Sequence, residues 1–314
     1  MKPSRSALRL RTDAAALGLR RVAVTSTAGT VVARVGRERG GPATVLLHGA
    51  AGTWTTWTPL VTASDLAGEP LADVVAIDLP GWGESGALDR VQSVAQLSDA
   101  VAEAVRALGY DAWRLVGHSL GGFVALDIAA RHPDETLGVT AVSASGAGVL
   151  DAIRRPLRGG LATPGFAGML LVMRMLSALG RAGTGFVRLL GRVGALRVLT
   201  APLFAGRPHP SVVAAFGDEV RLAAFARAAR LAAEYNERIW SAITCPVRAV
   251  RGRRDVFAGR RDTAAFRAAI ADFREIRLAD AGHFAQVERP DAVLAAMLAA
   301  RAAAPVAPAP AVLR

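Results

Sequence analysis

The sequence has a single cysteine, Cys245, in 314 residues, which excludes a disulfide framework and a thiolate metal site. It has a single lysine, Lys2, so its net charge of +12 is carried almost entirely by arginine. Aromatic residues make up only 5% of the chain and no nucleic-acid-binding module is recognisable. The basic balance is therefore read as a compositional bias and not as the mark of a nucleic-acid partner. The five histidines, His48, His118, His132, His209 and His283, are scattered with no pair at metal-ligand spacing. There is no Walker loop and no G-x-G-x-x-G loop following a strand, so no metal or cofactor is expected. No uncharged apolar run approaches the roughly 18 residues of a membrane span. The longest uncharged run in the basic first segment is Ala14–Leu19, too short for the core of a secretory leader. These readings lead to the expectation of a cytoplasmic protein.

What the chain does have is apolar substance, 52% of it, enough for a large core. Short apolar or β-branched runs alternate with longer helical ones. Val22–Thr27 and Thr30–Val35 read as a hairpin about Ala28-Gly29. Further strands are expected at Ala43–Leu47, Asp73–Ile77, Trp113–Val116, Leu137–Ser143, Pro246–Arg251 and Glu275–Leu278. Helices are expected near Val91–Leu108, Leu120–Arg131, Gly259–Ala271 and Asp291–Ala303. Strands alternating with helices of this length predict a parallel sheet covered on both faces. The alternation stops after Ser143, and from Gly146 to about Arg238 the chain reads as helix and loop only. A division follows: an N-terminal extension over 1–19, a core in two parts over 20–145 and 239–303, a helical cap inserted over 146–238, and a disordered Ala/Pro-rich tail over 304–314.

Within the core, the stretch LVGHSLGGFVAL, Leu115–Leu126, sets Ser119 between Gly117 and the pair Gly121-Gly122, at the seam of a strand and a helix. Glycines cluster where a backbone turns sharply or approaches something closely. A strand that breaks into a helix within one turn lifts the residue at the break out of the sheet. A helix cap would not need glycine on both sides. In parallel sheets ligands gather at the carboxyl ends of the strands. There the sequence places HGAAG (His48–Gly52), DLPGWGES (Asp78–Ser85), GHSLGG, GRRDVF with Asp255, and ADAGHFAQVERP with His283.

These segments resemble the α/β-hydrolase superfamily, in the branch with a serine nucleophile and a helical cap inserted after the sixth strand; the resemblance covers roughly residues 20 to 303. It implies a mostly parallel eight-stranded sheet with helices on both faces. It also implies that Ser119 is the nucleophile, His283 its base and Asp255 the acid that orients His283, ahead of Asp262 and Asp280. SASGAG, Ser143–Gly148, supplies no carboxylate for the alternative position of the acid after the sixth strand. The backbone N–H groups of Ala50 and Leu120 would form the oxyanion hole. His48 would order the loop that carries Ala50, and the Asp78–Ser85 loop would fix the wall beside it. His118, Trp54, Met169 and Met173 are candidates for the substrate pocket, while Trp54 and Trp57 read equally as core.

The resemblance implies a cofactor-free hydrolase of an apolar carboxylic ester or related acyl compound. C–C bond hydrolysis of β-diketone-like products and cofactor-free haloperoxidase chemistry use the same triad and stay open. So does a small-molecule receptor or accessory role on the same fold. Between Ala152 and Gly217 there are nine arginines and no Asp or Glu. Arg174, Arg181 and Arg188 are seven apart with apolar positions between them, an amphipathic stripe. It reads as a solvated cap surface, or as a site of attraction for an anionic substrate or a lipid surface.

Overall fold

The computed structural model describes residues 9–304. The expected tail, apart from Ala304, and the first eight residues of the expected extension lie outside the described residues. Eight strands form one sheet: β1 Leu19–Ser26, β2 Gly29–Gly36, β3 Ala43–Leu47, β4 Val74–Asp78, β5 Trp113–His118, β6 Thr136–Val142, β7 Val247–Gly252 and β8 Phe273–Leu278. Their order is β1-β2-β4-β3-β5-β6-β7-β8. β2 runs antiparallel to both β1 and β4, and all other neighbours are parallel.

The inner strands are near-continuous apolar runs because helices cover both of their faces. Side chains alternate across a strand, and β3 shows the consequence. Val45 and Leu47 pack with the helices Val94–Ala107 and Leu120–Arg131, whereas Leu46 packs with Trp57, Leu60, Val293 and Leu294 on the opposite face. β1 and β8 lie at the edges and carry charge on their exposed positions, as in FREIRL of β8.

Between Val142 and Val247 the described chain contains helices and no strand. The α-helices are Ala147–Arg154, Arg158–Ala162, Pro164–Ala178, Arg181–Arg192, Leu196–Leu199, Pro210–Glu219 and Leu222–Ala233. Three of them, Ala147–Arg154, Pro164–Ala178 and Leu222–Ala233, line one cavity with residues that follow β5, β6 and β7. No helix among the described residues is long and apolar enough to cross a membrane.

Candidate active site

Ser119 occupies the junction of β5 and helix Leu120–Arg131 with φ 51° and ψ −114°. A non-glycine residue there is strained, and the surroundings hold it in place. Its N–H donates to the Val142 carbonyl at 3.0 Å, and its carbonyl accepts from the N–H groups of Phe123 (3.0 Å) and Ser145 (3.2 Å). The neighbouring glycines are required by close approach. A Cβ on Gly121 would lie 2.1 Å from the Leu47 carbonyl oxygen, and one on Gly117 would lie 2.3 Å from the carbonyl oxygen of Gly121. Only hydrogen side chains let the helix enter so close to the ends of β3 and β5.

Asp255 lies in the loop after β7 and His283 in the loop after β8. His283 Nδ1 is 2.9 Å from Asp255 Oδ1, and both side chains are buried. The same oxygen accepts the N–H groups of Phe257 (2.9 Å) and Ala258 (3.0 Å). Burial opposes the charge on Asp255. The field of His283, its hydrogen bond and those of the loop outweigh that, with a contribution from the Ser143 hydroxyl, and hold the carboxyl below the ordinary aspartate range. The competing carboxylates face elsewhere. Asp262 accepts from the N–H groups of Gly148, Val149 and Gly259, fixing the starts of two helices, and Asp280 pairs with Arg289.

Ser119 and His283 line one cavity of about 90 Å³, together with Ala50 and Leu120. Its walls are apolar, built by Phe123, Leu150, Ile153, Phe166, Met169 and Phe257 among others, and no charged side chain lines it. The N–H groups of Ala50 and Leu120 donate to no acceptor among the described residues. His48 is buried, donates from Nδ1 to the Gly49 carbonyl (2.7 Å) and accepts the Leu79 N–H at Nε2 (3.0 Å). Burial lowers its pKa, so it is a neutral strut under the Ala50 loop.

His118 also lines the cavity, but its imidazole is tied down: Nε2 donates to the His283 carbonyl at 3.0 Å, with the two rings 4.9 Å apart. Burial first, and the neighbouring His283 second, push its pKa well down. It thus links the elbow to the histidine loop as an uncharged donor.

Two expected pocket residues lie elsewhere. Trp54 is buried with Trp57 and Leu60, its ring 5.0 Å from the Arg34 guanidinium, because the short helix Trp54–Trp57 turns it toward the opposite core layer. Met173 is one turn beyond Met169, which carries it past the cavity to pack among the cap helices.

Other contributors escaped the sequence reading. The Trp82 indole N–H donates to the Ala50 carbonyl at 2.8 Å and so ties down the loop just after the Ala50 N–H. The His283 N–H donates to the Leu203 carbonyl of the cap at 2.7 Å. Glu288 accepts from Gly282 at one oxygen and from Ala205 and Gly206 at the other, so cap segment and histidine loop share one carboxylate. Phe257 meets the His283 ring edge to face at 4.7 Å. Only the glycines before and after Ser119 gave a local signal for any of this; the other contacts join segments far apart in the chain.

A profile of the alpha/beta hydrolase family matches residues 44–296, which takes in the elbow, Asp255 and His283. The chain belongs to the alpha/beta hydrolase family. Among curated relatives, this alpha/beta hydrolase is 39% identical over 119 residues to a dihydrolipoyllysine-residue acetyltransferase component of the acetoin cleaving system from Cupriavidus necator. That match covers 37% of this chain and 30% of the relative. It is 38% identical over 114 residues to epoxide hydrolase B of Mycobacterium tuberculosis, covering 35% of this chain and 31% of that one. The matches thus span about a third of the relatives' own length. A thermophilic esterase from Thermogutta terrifontis has the same fold, with a TM-score of 0.67 at 22% identity over 91% of this chain and 100% of the esterase.

Proposed function

We propose that this alpha/beta hydrolase cleaves carboxylic esters with an apolar acyl part through a covalent Ser119 intermediate. The observation that carries the reading is one cavity holding a strained, elbow-mounted serine and a histidine whose far nitrogen is paired to a buried aspartate. Ser119 Oγ bonds to the ester carbonyl carbon as its proton passes to His283 Nε2, and Asp255 stabilises the imidazolium that results. The oxyanion is met by the N–H groups of Ala50 and Leu120. Collapse breaks the bond to the alcohol oxygen, which takes the proton from His283. Water then gives a proton to His283, attacks the acyl carbon and releases the acid, returning the proton to Ser119.

The apolar wall without a charged group favours a neutral, water-poor acyl chain. The similarity to an epoxide hydrolase is the second reading, and Ser119 weighs against it, because epoxide-hydrolase-like members use an aspartate at that place. The deciding assay offers the purified protein a series of p-nitrophenyl esters of increasing chain length, a β-diketone and an epoxide. The reading expects ester hydrolysis with kcat/KM rising from acetyl to medium chains. Turnover of the epoxide or the β-diketone with inert esters would overturn it.

A further inference from the structure

Of the fifteen strongly exposed large apolar side chains among the described residues, eleven lie between Leu157 and Leu199, in the cap. Leu157, Leu161 and Val198 are 84%, 85% and 74% exposed. On helix Pro164–Ala178 and its cap residue, Leu171, Met175 and Leu179 recur every four residues along one face; on helix Arg181–Arg192 and its cap residue, Phe186, Leu189 and Val193 do the same at three and four. The opposite faces are occupied: Phe166 and Leu170 are buried on the first helix, Gly183 and Val187 on the second. A soluble surface seldom concentrates apolar residues in this way unless something covers them.

The charges within the segment between Ala152 and Gly217 all have one sign. Arg158, Arg174, Arg181, Arg188, Arg192, Arg197 and Arg207 are exposed, and none has an ion-pair partner among the described residues. The other two arginines of the segment, Arg154 and Arg155, pair with Glu237 and Asp151. Self-association through a two-fold axis would set this patch against itself and bring the arginines together. An anionic bilayer surface complements both features: apolar side chains enter the headgroup boundary while arginines meet lipid phosphates.

We propose that the cap, through segment 157–199, docks onto anionic membrane surfaces. Helix Pro164–Ala178 then has two occupied faces, since Phe166 and Met169 line the cavity while Leu171 and Met175 would lie in the lipid boundary. The docking requires no catalysis and stands apart from the role of Ser119.

The test is co-sedimentation of the full chain with vesicles of phosphatidylcholine alone and of phosphatidylcholine mixed with phosphatidylglycerol, at low and high salt. The proposal expects binding to the mixed vesicles only, weakening as salt rises. At about fivefold per arginine near the surface, R174Q/R181Q/R188Q should bind on the order of a hundredfold more weakly. F186S/L189S should also lose binding, with the thermal melt of both variants unchanged. Sedimentation velocity run in parallel separates the other occupant. Absence of vesicle binding, equal binding to both vesicle types, binding unaltered by the triple substitution, or dimerisation through the patch without vesicle binding would each overturn the proposal.

Discussion

Replacing Asp255 by Asn probes the proposed acid with little change of shape. An amide can rotate to offer either oxygen or nitrogen to His283, and the structure selects between them. Oδ1 receives the N–H groups of Phe257 and Ala258 in addition to His283 Nδ1–H, so an NH₂ group there would face two donors. The amide oxygen therefore takes that place, and His283 keeps the tautomer that leaves Nε2 free for Ser119. What is lost is the charge. Two unit charges about 4 Å apart at an effective dielectric near 20 interact by about 4 kcal/mol, or roughly three orders of magnitude in rate. The expectation is a fall in kcat of about 10³-fold, short of the roughly 10⁴-fold seen where the same substitution in a serine protease imposes the wrong tautomer. The assay is kcat for the best p-nitrophenyl ester, accompanied by a thermal melt to show that the variant is folded. A folded Asp255→Asn protein within about tenfold of the unmodified rate would refute the assignment of the acid.

Asp262→Ala should separate stability from catalysis: it strands three backbone donors, at about 1–3 kcal/mol each, so Tm should fall by on the order of 10 °C while kcat at a lower temperature stays within about tenfold. Glu219 of the cap, hydrogen-bonded to Thr55 at 2.7 Å, has its pKa raised by burial. Its favourable protonated state is kept below the unfolded carboxyl pKa and lost as pH rises through the folded one. Glu219→Gln should therefore raise Tm at pH 8, with the gain shrinking toward zero near pH 4; a gain independent of pH would contradict this. Met169→Trp should fill part of the cavity and move the preferred ester to shorter chains, and an unaltered chain-length profile would show that acyl groups lie elsewhere.

The parallel sheet was readable in the sequence because its inner strands are apolar runs that tertiary packing does not have to rescue. The glycines around Ser119 were readable because close backbone approach tolerates no other residue. Edges were harder. β8 begins at Phe273, two residues before the expected Glu275, because an edge strand keeps charged residues that dilute the strand pattern. The expected helix Val91–Leu108 starts at Val94 instead, where the Ser93 side chain accepts the Gln96 N–H and caps it. Helix Thr58–Leu66 was missed altogether, since its Thr-rich start reads as β-branched. In the site, Asp255 and His283 could be picked from their places after strands, but Trp82, Leu203 and Glu288 could not. Their roles arise from contacts between loops of different strands or between cap and core, which no local pattern records. Met169 and Met173 share a helical face, and only the length of the cavity separates them.

The most direct measurement of the central claim is active-site labelling with a fluorophosphonate probe, with the modified residue located by mass spectrometry. One covalent adduct, on Ser119, is expected in the unmodified protein, and none in a folded Ser119→Ala variant. Equal labelling of both proteins, or an adduct on another residue such as Ser143 or Ser145, would contradict that claim.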